Sequence, residues 1–99
     1  MKFKGTPGPW VASKTDRGIG PICKDDDQSY GMILPVAWVE FDERPGVHQA
    51  NANLIAAAPD LLEALNSIME LQTRGYVVLG DKCTEMAGAA IAKAIGEEE

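Results

Sequence analysis

"HQANANLIAAAPDLLEAL", residues 48–65, is the stretch on which the reading of the whole chain turns. From Val47 the residues Ala50, Leu54, Ala57 and Ala58 recur at helical spacing, and Pro45 with Gly46 marks the break before them. Pro59 has no amide hydrogen and biases Ala58 away from helical geometry, so a first helix ends near Ala57 or Ala58. At the first position of a new helix the missing donor costs nothing, and Asp60 suits the positive end of the helix dipole. A second helix therefore starts at Pro59. Leu61, Leu62, Leu65, Ile68 and Met69 give it one broad apolar face, opposite Asp60, Glu63, Asn66 and Glu70, and it stops near Arg74 and Gly75.

Downstream, "CTEMAGAAIAKAI", residues 83–95, reads as a last helix, with Asp81 or Thr84 available to cap its start and Gly96 to end it. Its face of Ala87, Ala90, Ile91 and Ala94 is small-sided, so the preceding helix can approach closely as an antiparallel partner. Upstream, "PWVASK" (9–14) suits an edge strand, "TDRGIG" (15–20) a turn and "PICK" (21–24) a further extended segment before the acidic hairpin tip "DDDQSYG" (25–31). "MILPVAWVEF" (32–41) is the longest strand candidate, and Pro35 within it marks an edge, a bulge or a boundary between shorter strands. Beyond Pro35, Val36, Trp38 and Glu40 line one face and Ala37, Val39 and Phe41 the other. Both faces carry apolar groups, so the helices cover one and something else, such as a second subunit, the other. The expected class is α+β: a short antiparallel β-sheet in the N-terminal half, followed by C-terminal helices that form an antiparallel helical pair. At 99 residues this is a single domain, β-rich over 1–46 and helical over 47–96, with a mobile acidic tail at 97–99.

A net charge of −6, with the basic residues scattered, argues against a nucleic-acid polymer as partner. A small anion is another matter, because one or two arginines can neutralise it locally. The chain has three: Arg17, Arg44 and Arg74. Its longest wholly apolar run, Leu54 to Ala58, is too short to span a membrane, and "MKFKGTPGPW" lacks the apolar core of a secretory signal, so the cytoplasm is the expected location. Cys23 and Cys83 belong to no CxxC pair, and Asp25, Asp26 and Asp27 lack the alternating order of a calcium loop; no metal or other cofactor is expected.

Asn51 and Asn53 stand two residues apart, roughly 200° around a helix, so they serve different contacts. One reading is a helix cap or a bond to the neighbouring loop; the other is an amide offered to a polar ligand, to which it can both donate and accept. His48, the only histidine, has no serine or cysteine nucleophile nearby, and a local bond or solvent is its ordinary fate. An enzyme would need it paired with a carboxylate such as Asp42 or Glu43 in a cleft. Arg17, in "RGIG", can present its guanidinium to a phosphate if that turn borders a pocket. Trp10, stiffened by two prolines, and Phe41 each suit either core packing or stacking on a base.

"TPGPW" near the start, "NANLIAAAPDLLEAL" in the middle and "AGAAIAKAIGE" at the end resemble a large group of small phage and prophage proteins. Within that group the arrangement is similar to the first type of Thoeris anti-defence protein, a sponge for immune signals of the cyclic ADP-ribose type. The resemblance implies a β-rich first half, C-terminal helices and assembly into a homodimer or higher homo-oligomer. It implies a signal nucleotide enclosed between subunits and not degraded, in the cytoplasm of the infected host. Carried onto this sequence, it makes Phe41 the base-stacking ring and Asn51 the amide contact, with Asn53 as the second choice. Arg17 and Arg74 become the phosphate contacts, and the chain is poor in arginine for that task. The alternative is a phage accessory module that binds a host protein through Met32 to Phe41 or an exposed helix face, with no small ligand.

Overall fold

The computed structural model describes residues 3–24 and 31–96. The expected hairpin tip at 25–30 and the acidic tail at 97–99 lie outside those residues. Among the described residues there are three strands, β1 (Val11–Ala12), β2 (Gly18–Gly20) and β3 (Ala37–Trp38), followed by three helices, α1 (Val47–Ala56), α2 (Ala58–Thr73) and α3 (Asp81–Ile95). The strands form one antiparallel sheet in the order β1-β2-β3. The chain divides into two compact units, Thr6–Asp60 and the remainder.

In the first unit the "RGIG" segment corrects the sequence expectation, because Gly18–Gly20 is the buried central strand rather than a turn. The turn precedes it. The Ser13 hydroxyl accepts from the Thr15 and Asp16 amides at 3.1 Å each, and the Asp16 carboxylate accepts from the Gly18 amide at 3.0 Å. These side-chain bonds replace a ladder across the loop and hold Arg17 at φ 64°, where a non-glycine residue is rarely found.

Pro35 sits at a bulge. Two residues lie between Ile19 and Ile22 on the β2 side, whereas three lie between their partners Ile33 and Ala37, so one extra residue is accommodated beside the proline. The Leu34 amide faces inward and donates to Pro21 O at 2.8 Å, which leaves the next nitrogen, that of Pro35, on the outward side where no donor is needed. The bulge leaves the regular strand as Ala37–Trp38, within the ten-residue candidate that Pro35 interrupts.

Helix α1 packs on β1 and β2, and the core comprises Ile19, Val39, Ala52 and Ala56, with Trp10 and Ala12 against it. The buried stripe of α1 is therefore Ala52 and Ala56, which the helical spacing of Ala50, Leu54, Ala57 and Ala58 does not pick out. Two methyl groups let the helix come close to the strand beneath, where Ile19 between two glycines is fully buried, an effect of about 1.5–3 kcal/mol. Leu54, the larger residue, is 66 % exposed. Asn51 and Asn53 lie in the helix interior, which rules out the capping reading, since the cap position is Gly46. The stretches "TPGPW" and "NANLIAAAPDLLEAL" meet at Gly8 and Pro59: a Cβ on Gly8 would stand 2.6 Å from Pro59 Cβ, so the glycine makes room for the proline ring.

Pro59 is the second residue of α2, within the first turn whose amides have no helical acceptor. In the second unit α2 and α3 form the expected antiparallel pair. The Thr84 hydroxyl joins them by donating to Gln72 Oε1 at 3.0 Å; it is not a cap, and Gly80 holds the cap position without a side-chain bond. Buried or half-buried positions on α3 are Thr84, Ala87, Gly88, Ile91, Ala92 and Ile95, so Ala90 and Ala94 of the expected face are exposed instead. On α2 the sheltered stripe is Leu62, Leu65, Met69 and Gln72, and Leu61 and Ile68 are exposed. A small-sided partner helix shelters a narrow stripe, which is why the broad apolar face of α2 is only partly covered. Gly96 ends α3 in the left-handed region, as its position suggests.

Candidate functional site

Beside the core, the segment that follows β3 and the outer face of α1 enclose an open groove of about 420 Å³. Trp38, Val39, Glu40, Phe41 and Asp42 line it from one side and Asn51, Leu54 and Ile55 from the other. The helical contribution follows from spacing: residues 51, 54 and 55 share a face, displaced from the one that Ala52 and Ala56 bury.

Phe41 is 65 % exposed, yet its ring is supported. The His48 imidazole contacts it at 5.2 Å between centroids, tilted 39°, and the Arg17 guanidinium carbon lies 5.9 Å from its centroid. Arg17 also donates to the Val39 carbonyl at 3.4 Å, a long bond, and has no carboxylate partner among the described residues. The other two arginines are engaged. Arg44 pairs with Asp42 at 2.6 Å, and Arg74 pairs with Glu70 at 2.6 Å on α2. The Arg44 guanidinium, followed by its backbone amide, holds the Asp42 carboxyl below the ordinary 3.8, with the nearby His48 a smaller influence. Asp42 thus brings a compensated charge to the groove, while Glu40 brings an exposed carboxylate.

Of the residues singled out in the sequence, the structure brings Phe41 and Asn51 to one groove, with Arg17 against Phe41. Asn53 points to a different contact, accepting from Gln49 Nε2 at 3.1 Å. Trp10 packs on the core, and its indole nitrogen is buried without a hydrogen-bond partner among the described residues. Arg74 belongs to the second unit and is not among the groove residues. His48 meets Asp42 through the backbone, not through the carboxylate, so the acid–base pair considered above is not assembled there. Sequence reading missed Glu40, Trp38, Leu54 and Ile55 as groove residues. The signal was present in the strand alternation of Trp38 and Glu40 and in the three- and four-residue spacing from Asn51.

Fold and groove together define a small α+β protein with an open, mixed aromatic and polar recess beside its sheet. The chain belongs to the family described as Salmonella phage P22 protein Y8K6, which matches it over residues 1–98. Membership bears out the phage part of the resemblance. No curated protein and no solved structure matches the chain. No helix among the described residues is long and apolar enough to cross a membrane.

Proposed function

We propose that this phage protein sequesters a cyclic nucleotide immune signal of the cyclic ADP-ribose type and releases it chemically unaltered. The observation that carries the reading is the convergence of Phe41 and Asn51 on one groove, with the Arg17 guanidinium against the Phe41 ring. An exposed aromatic ring offers a stacking platform of about 1–3 kcal/mol per base. The Asn51 amide can donate and accept along an adenine edge, and the Glu40 carboxylate can accept from ribose hydroxyls. Arg17 supplies a cation for the phosphates. The groove is open in one chain, so tight retention requires enclosure by a second copy, which lowers the ordering cost of binding. The site of action in this reading is the cytoplasm of the infected host.

Calorimetry of the protein against cyclic ADP-ribose isomers and cyclic di- and trinucleotides, with mass spectrometry of ligand recovered after heating, tests the proposal. The expected result is saturable binding, intact recovery, and a loss of at least about tenfold, or 1.4 kcal/mol, in Phe41→Ala or Asn51→Ala with the fold retained. Arg17→Ala and Arg74→Ala compared side by side identify the guanidinium that meets phosphate. Absence of heat across the whole panel would refute the reading.

A second reading has its own observation. Met32, Leu34, Val36 and Trp38, alternate residues along one segment, are all exposed, and contiguous apolar surface of this kind marks protein-binding sites. In that case the chain binds a host protein. Capture of one host protein, abolished by Leu34→Ser with Trp38→Ser and indifferent to Asn51→Ala, together with no nucleotide binding, selects this reading over the first.

A further inference from the structure

We infer that His48 is a positioning residue: from α1 it clamps the segment after β3 and fixes the Phe41 ring over the groove. Two contacts made by one imidazole carry this. Its ring supports Phe41 at 5.2 Å, and its Nδ1 stands 3.3 Å from the Asp42 amide nitrogen and 3.2 Å from the Asp42 carbonyl oxygen. Residues 41 and 42 are thereby tied to the first turn of α1 by a side chain, where no strand ladder reaches, since β3 ends at Trp38.

The two-sided contact at Nδ1 serves either tautomer of the ring. An Nδ1 without hydrogen accepts from the Asp42 N–H; an Nδ1 that carries one donates to the Asp42 C=O. The charged groups around the imidazole are the Asp42 carboxylate, held by Arg44, and Arg17 on the Phe41 ring.

The affinity consequence rests on the ligand reading above, and the structural consequence does not. The test therefore begins with the free protein, recording the Asp42 amide and Phe41 ring resonances by NMR in wild type and two variants. His48→Phe is expected to shift the Asp42 amide and keep the Phe41 ring shifts, whereas His48→Asn should keep an Asp42 hydrogen bond and release the ring. Calorimetry with cyclic ADP-ribose isomers then reads a loss of about tenfold in His48→Asn, with thermal unfolding near wild type. An Asp42 amide unchanged in His48→Phe, with Phe41 shifts unchanged in His48→Asn, would overturn the clamp. If wild type binds none of the nucleotides, the function reading fails alone, and the resonances still decide the clamp.

Discussion

Gly20→Ala is the perturbation that the sheet geometry constrains most closely. Gly20 is buried in β2, and a methyl group built on it would overlap the Leu34 carbonyl oxygen while standing 2.9 Å from the Leu34 carbonyl carbon and 3.1 Å from Pro35 Cα. All three are backbone atoms. The segment that carries them is tied to its neighbour by Leu34 N–H to Pro21 O at 2.8 Å and by Val36 N–H to Ile19 O at 2.7 Å. It cannot retreat without stretching both. Forced overpacking costs about 1–3 kcal/mol, and giving up two backbone hydrogen bonds at about 1 kcal/mol each costs a similar amount. Either route gives about 2 kcal/mol, or roughly 8–16 °C in Tm for a domain of this size. The chain has two tryptophans, Trp10 and Trp38, both within Thr6–Asp60, so urea unfolding followed by fluorescence reads the unit that holds Gly20. Gly18→Ala is the internal control. Its methyl would meet the exposed Trp38 ring at 3.1 Å and Asp16 Oδ1 at 3.2 Å, side-chain atoms that can move, and about 1 kcal/mol is expected. A Gly20→Ala protein within about 0.5 kcal/mol of wild type, or one less perturbed than Gly18→Ala, would refute the bulge-and-glycine account of the sheet.

The same substitution should act in the opposite direction at Gly88, a helix-interior glycine of α3 whose added Cβ meets nothing within 4 Å. Gly88→Ala is expected to stabilise α3 by about 0.5–1 kcal/mol, read as a higher unfolding midpoint in circular dichroism at 222 nm; a lower midpoint contradicts it. The Asp16 carboxyl lies below its ordinary 3.8, chiefly because the Gly18 amide donates to it and secondarily because of the Ser13 hydroxyl. A lowered folded pKa means that this contribution is complete above the unfolded value and is lost as pH falls through the folded one. The Gly18 amide resonance should accordingly shift with a midpoint below 3.8, and Asp16→Asn should remove that dependence.

Helix boundaries were legible because their signals are local. Pro45 and Gly46, the Ala58–Pro59 pair, Gly75 and Gly96 each act on their own backbone dihedrals, and the observed ends fall within a residue or two of where those residues put them. The anomaly at Pro35 was legible for the same reason, since a missing donor has the same consequence in any sheet. The "RGIG" segment misled because glycines are turn-formers by propensity. Here Gly20 is required by a close backbone approach from a segment 14 residues later, that of Leu34.

For the groove, strand and helix periodicity already assign Trp38 with Glu40, and Asn51 with Leu54 and Ile55, to common faces. Their convergence depends on which side of α1 is buried, and hydropathy alone favours Leu54 over Ala52. Close packing reverses that preference, because a helix can approach a strand of sequence Gly-Ile-Gly only through methyl-sized groups, and Leu54 is left to line the groove. The sequence by itself therefore determined the α+β order, the helix ends and the net negative charge, all properties of neighbouring residues or of composition. Tertiary structure alone decided that "GIG" is the central strand, that alanines form the buried face, and that His48 and Arg17 meet at Phe41. Those outcomes depend on contacts between residues distant in sequence, such as Phe41 with His48 and with Arg17, 7 and 24 positions apart, which no local preference encodes.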